Sequence, residues 1–161
     1  MPDVIGWRKK FGVLAPSTNT VVEPDFYMMA VPGVTAHISR ILMTNSRRDA
    51  DDPQSNELRA QSLASEMKPT IDRILTAEPD YMVMGMSAPT FRGGLEGNRR
   101  WKAQMQEHSG GLGMANGAEA CERAKKLLDV KRIGVMTPYQ PVGDENVVRF
   151  FGVHMFMLIS I

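Results

Sequence analysis

Between Tyr81 and Gly94 an apolar run, Tyr-Met-Val-Met, breaks at Gly85 into Met86-Ser87-Ala88-Pro89-Thr90-Phe91-Arg92-Gly93-Gly94. A buried strand that opens into a small-residue, glycine-rich loop is where α/β proteins place their chemistry. The crevice at the carboxyl ends of the strands exposes backbone N–H groups there. Gly85 permits close backbone approach or a positive φ, Ser87 offers a hydroxyl, and Gly93 and Gly94 let the chain swing towards a following helix. The same junction also suits a connecting loop that binds nothing. The rest of the chain has to decide between the two.

Lys10 to Ala15 predicts a short buried strand ended by Pro16. Thr20 with Glu23 three residues on has the capping-box pattern, so a helix is expected from there, with Pro24 in its first turn. Val34 to Met43 is β-branched and partly alternating, a second strand. Asp52 and Pro53 form an N-cap and N1 pair for a helix reaching about Ala77. Its apolar face is expected to be Leu58, Leu63, Met67, Ile71, Ile74 and Leu75, with a kink or division at Pro69.

After the Tyr81 strand, Glu96 to His108 predicts a polar helix turning Trp101 and Met105 inward. Leu112 to Ala115 is a weak strand, and Ala118 to Leu128 a helix with Cys121 on its packed side. Arg132 to Thr137 is a strand, and Asp144 to Phe151 begins another helix. This alternation is that of a doubly wound parallel sheet with the first strand central. From Gly152 to Ile161 there is no Asp, Glu, Lys or Arg, and the preceding helix looks unfinished. The tail is expected to be either a natural last strand or, the preferred reading, the mark of a chain cut short or read out of frame after about Phe151.

Composition narrows the function classes. A net charge of +1, with 43% hydrophobic and 23% charged residues, gives no electrostatic argument for nucleic acid or an anionic membrane. No segment reaches the ~20 apolar residues of a membrane span, and no long apolar run suggests a leader. One cysteine excludes an intrachain disulfide framework and a Cys-rich zinc site, so a reducing, cytoplasmic setting is expected.

In a parallel sheet the strand ends point one way, so their loops converge. They carry Pro16, Ser17, Thr18 and Asn19, then Gly85, Met86 and Ser87, then Thr137, Pro138 and Tyr139. Amide, hydroxyl, phenol and backbone donors suit a carboxylate held by neutral hydrogen bonds. They do not suit a metal, and His37, His108 and His154 are scattered.

These motifs resemble a known group. Pro16-Ser17-Thr18-Asn19-Thr20 is similar to the Pro-Ser-Ser-Asn-Thr opening of maleate cis-trans isomerases. Gly85-Met86-Ser87 through Phe91-Arg92-Gly93 resembles the Gly-Thr-Ser…Tyr-Arg-Gly loop of arylmalonate decarboxylase. Lys131 to Tyr139, with Asp144-Glu145-Asn146, resembles a segment both share. Both families belong to the Asp/Glu racemase superfamily, and the match runs in order to Phe151.

The resemblance implies paired, pseudo-symmetric α/β domains, no cofactor, and two opposed catalytic positions that are usually cysteines. The expected organisation is α/β: a flavodoxin-like parallel sheet flanked by helices over 1–110, the beginning of a second such domain over 111–151, and an aberrant apolar tail over 152–161. Ser87 occupies the first cysteine position, which fits the decarboxylase pattern of a single, second cysteine. By the same match, Pro16, Ser17, Asn19, Gly85, Met86, Ser87 and Tyr139 bind substrate. Ser87, Tyr139 and backbone N–H groups near Met86 hold a carboxylate and stabilise an enediolate. Met86 stands where the decarboxylase has a threonine donor, one hydroxyl short. The second cysteine is expected after Phe151, and Cys121 is matched to a packing helix.

The leading expectation is therefore a decarboxylase-like enzyme acting on a small dicarboxylate or malonate-type substrate. Maleate isomerisation or Asp/Glu-type racemisation stands beside it. From another class, the chain is a non-catalytic carboxylate-binding domain or an inactive fragment. A flavodoxin-type nucleotide or flavin binder is disfavoured because the loop has neither G-x-G-x-x-G nor a Walker lysine. A homo-oligomer is compatible with the sequence and not specified by it.

Overall fold

The computed structural model describes residues 3–43, 53–152 and 158–160. The chain divides into two compact units, one of residues 1–85 and 105–114, the other of 86–104 and 115–161.

The first unit is built on a parallel sheet. Strand β1 (Lys9–Pro16) lies between β2 (Val34–Ile41) and β3 (Tyr81–Met84), with the two-residue β4 (Met114–Ala115) beside β3. Both β1 pairings are parallel, in register from Lys9 opposite Val34 to Pro16 opposite Ile41, and from Phe11 opposite Tyr81 to Leu14 opposite Met84. The expected topology holds, with β1 central and its Val13, Leu14 and Ala15 fully buried. A parallel sheet needs helices on its faces. Helix α2 (Pro53–Leu75) packs on β1 and β2 through Met67, Ile71 and Ile74, one stripe at helical spacing. Met67, Met82, Met84, Met105 and Met114 are all buried in this unit, where unbranched side chains fill irregular gaps.

Several expectations are corrected. The apolar stripe of α2 stops short of Leu58, which is 59% exposed. Pro69 lies inside α2 and does not divide it. Thr70 is buried instead, its carbonyl accepting from Ser39 Oγ at 2.9 Å. Helix α1 (Val22–Met28) starts two residues after Thr20, which does not cap it. Asn19 Oδ1 takes that task, accepting from the N–H groups of Val21 (2.9 Å) and Val22 (2.8 Å).

The second unit contains α3 (Ala88–Phe91), most of α4 (Gly94–His108), α5 (Gly117–Leu127), β5 (Val135–Thr137), α6 (Pro141–Phe151) and β6 (Leu158–Ser160). Strands β5 and β6 are parallel neighbours. Its core is Phe91, Ala118, Val147 and Phe150, with Phe91 and Phe150 edge to face at 5.2 Å between centroids. Asn116 caps α5 by accepting from Glu119 N–H at 3.0 Å.

Here too the sequence reading needs amendment. Strand β5 begins at Val135, three residues later than expected, since among the described residues only Val135–Thr137 find a partner strand. Trp101 is half-buried, whereas Met105 is buried as expected. Cys121 is exposed, because α5 buries only Ala118 among its residues. Helix α6 is properly finished: Gly152 takes a left-handed conformation at φ 61° and its N–H reaches Val148 O at 3.1 Å. Of the tail, residues 153–157 and 161 lie outside the described residues. Among the described residues no helix is long and apolar enough to cross a membrane.

Candidate functional site

The loop after β1 is built from backbone bonds that continue the sheet. Ser17 N–H donates to Ile41 O (2.8 Å) and Ser17 Oγ accepts from Met43 N–H (3.0 Å), prolonging the β1–β2 pairing past the strand ends. Asn19 N–H turns back to Pro16 O at 3.0 Å. With Oδ1 committed to α1, the Nδ2 amide is what the Asn19 side chain can offer an anion. Arg40, projecting from β2, donates through Nη1 to Pro16 O (3.3 Å) and Asn19 O (2.7 Å), while Nη2 pairs with Glu23. This brace was not legible in the sequence. A basic residue in a half-buried strand signals nothing until the register beside β1 is known.

Gly85 closes the first unit. Its N–H donates to Leu14 O at 2.7 Å, and a Cβ there would lie 2.8 Å from Val22 Cγ1 and 3.0 Å from Leu14 O. Of the two reasons expected for a glycine, close approach is the operative one.

In the second unit, Ser87 Oγ and Tyr139 Oη are hydrogen-bonded to each other. The sequence matched both to one carboxylate site, across 52 residues of chain, and the structure brings them together. Ser87 stands at the start of α3 without capping it, while its carbonyl accepts from Thr90 N–H (2.9 Å) and Thr90 Oγ1. Behind Ser87, Gly117 leaves room: a Cβ there would sit 3.7 Å from Ser87 Cβ. Tyr139 is placed by Thr137, whose Oγ1 accepts from Tyr139 N–H at 3.2 Å and donates to the buried carboxylate of Asp144. Asn146 Oδ1 accepts from Gly93 N–H at 3.0 Å, fixing the glycine pair after α3.

Two hydroxyls that share one hydrogen bond keep a single outward O–H donor and several acceptor lone pairs. The pair can therefore donate once to a carboxylate oxygen. It opens onto a cavity of about 510 Å³ with mostly apolar walls, among them Phe91, Val135, Val147 and Phe151. That volume is within the ~300–1,000 Å³ usual for small-molecule sites. Cys121 and Lys125 of α5 also line it.

Ser87 and Tyr139 are thus the expected site residues that meet within one unit, and half-buried Met86 precedes them there. Pro16, Ser17, Asn19 and Gly85 belong to the first unit. Among the described residues no group of three or more His, Cys, Asp and Glu side chains could hold a metal. His37 Nε2 lies 3.1 Å from Thr35 Oγ1, and His154 lies outside the described residues.

Neither a family model nor a curated protein sequence matches the chain. Solved structures do match. A serine-for-cysteine variant of Nocardia farcinica maleate cis-trans isomerase, with a covalently bound succinylcysteine intermediate, superposes at a TM-score of 0.74 with 18% identity over 95% of this chain. The maleate isomerase of Pseudomonas putida gives 0.73, 18% and 95%. Arylmalonate decarboxylase gives 0.65, 14% and 94%. The chain covers 64% of the length of each. The likeness establishes the fold: a parallel α/β architecture shared with these solved isomerases and the decarboxylase.

Proposed function

We propose that the chain is part of a cofactor-independent enzyme acting at a carbon next to a carboxylate, in the manner of arylmalonate decarboxylase. The observation that carries this reading is the Ser87–Tyr139 hydroxyl pair at the mouth of an apolar cavity. A substrate carboxylate lies against the outward O–H of that pair and the backbone N–H groups near Met86. Cleavage of the bond to the departing carboxylate releases CO2 and leaves its electron pair on the remaining carbon as an enediolate. The same donors stabilise the charge as it develops. A proton then has to reach that carbon. Serine cannot supply it efficiently, since its hydroxyl lies far above the useful pKa range. Ser87 accordingly binds and orients rather than protonates, and Cys121 is not assigned the donor's task.

The test is an assay of the 161-residue protein against aryl- and alkylmalonates, maleate, aspartate and glutamate. Without a matched general acid, which is worth ~10²–10⁴ in rate, no measurable turnover is expected. Weak malonate binding that falls on Tyr139→Phe is expected to survive. Malonate decarboxylation by this protein, abolished by Ser87→Ala, would make Ser87 catalytic in its own right and reject the reading as stated.

Cis-trans isomerisation is a second reading, favoured by Asn19. Its Oδ1 is tied to α1 and its Nδ2 is the group that can meet a carboxylate. Asn19→Ala should weaken maleate more than malonates if this reading is the right one.

A further inference from the structure

We infer that the cavity of the second unit is a site for a long dicarboxylate with an apolar spacer, its far carboxylate paired with Lys125. This rests on the carboxylate site proposed at Ser87 and Tyr139 and adds the other end of the ligand. Helix α5 lays Gly117, Cys121, Ala124, Lys125 and Leu128 along the cavity, the spacing of one helical face continued past its last turn. Gly117, at the first turn, is the residue against Ser87. Lys125 is eight residues further on, about 12 Å along the helix axis. The wall between these ends is apolar, and Lys125 is the charged residue among those lining the cavity.

Among the described residues no carboxylate pairs with the Lys125 ammonium. The acidic residues of α5 serve other lysines, Glu119 pairing with Lys102 at 2.8 Å and Glu122 with Lys126 at 2.6 Å. Lys125 Nζ instead stands 5.8 Å from the centre of the Phe151 ring, which itself lines the cavity. The two ends of α5 differ in field. An anion beside Gly117 gains from the positive end of the helix dipole, whereas one beside Lys125 meets its negative end. The far carboxylate therefore depends on the lysine charge. A four- or five-carbon diacid is too short to span both ends and leaves the apolar wall unused.

Calorimetry on the 161-residue protein with glutarate, sebacate and decanoate, each below any micelle concentration, tests this. Sebacate should bind at least tenfold more tightly than glutarate, since each methylene buried is worth about fourfold. Lys125→Met should weaken sebacate about tenfold and leave decanoate unchanged, and Lys125→Arg should retain sebacate. Sebacate should also slow alkylation of Cys121 by iodoacetamide, because this single thiol lines the same cavity. Glutarate binding as tightly as sebacate, sebacate indifferent to Lys125→Met, or no sebacate binding at millimolar concentration overturns the inference. In those cases a loss of glutarate affinity on Tyr139→Phe keeps the Ser87–Tyr139 reading standing. Diacids all indifferent to Tyr139→Phe remove that reading instead.

Discussion

Thr137 carries more of the candidate site than either hydroxyl it supports. Its side chain joins the buried Asp144 carboxylate to the backbone of Tyr139, so the phenol is aimed from inside the unit. Asp144→Ala would leave the Thr137 hydroxyl buried without its acceptor, a loss of about 1–3 kcal/mol. Urea unfolding should record that loss, and malonate binding should weaken with it. An unchanged midpoint would mean that Asp144 does not hold Thr137. Gly85 is a second test at this scale. Alanine there meets the Leu14 carbonyl and Val22, so Gly85→Ala should cost roughly 1–3 kcal/mol by overpacking. Thr137, Tyr139 and Gly85 were legible because strand-to-loop junctions are written locally. Arg40 was not, since its partners Pro16, Asn19 and Glu23 come to it only through the β1–β2 register.

Elements were legible where hydrophobic period and burial coincide. The order of β1, β2 and β3 followed from their apolar runs and from the helices between them. Helix α5 misled because apolar residues are not obliged to be inside. Ala118 is buried while Leu127 is 86% exposed and Cys121 is exposed, so composition alone could not choose the packed face. The join between β1 and β3 has a titratable part. Asp80, just before β3, accepts from Lys10 N–H at 2.7 Å. That bond, with the Lys9 charge, holds its carboxyl below the ordinary aspartate value of 3.8. A pKa lowered by folding contributes stability above the unfolded value and loses it as pH falls through the folded one. Wild-type protein should therefore lose stability as pH drops below about 4, and Asp80→Asn should flatten that part of the profile. The comparison is read from urea midpoints across pH, and parallel profiles for the two proteins would count against the assignment.

At the scale of the whole molecule each unit has its own core, and the two differ in kind. The first is aliphatic and methionine-rich around β1, with Val13, Leu14, Ile71 and Met82 excluded from solvent. The second is aromatic, with Phe91, Phe150 and Phe151 in mutual ring contact. Proteins open in cooperative pieces whose stability follows local burial. Truncating a phenylalanine in a packed cluster costs about 3–5 kcal/mol. Phe150→Ala should therefore strip hydrogen-exchange protection from α5, β5 and α6, which pack on or around that ring. The amides of Val13 and Leu14 in β1, which lies between two parallel neighbours there, should keep theirs. Hydrogen exchange read by mass spectrometry separates these peptides. Equal loss in β1 and α6 would mean that the aromatic cluster belongs to one cooperative core with the sheet. The division at Gly85 would then describe the chain and not its stability.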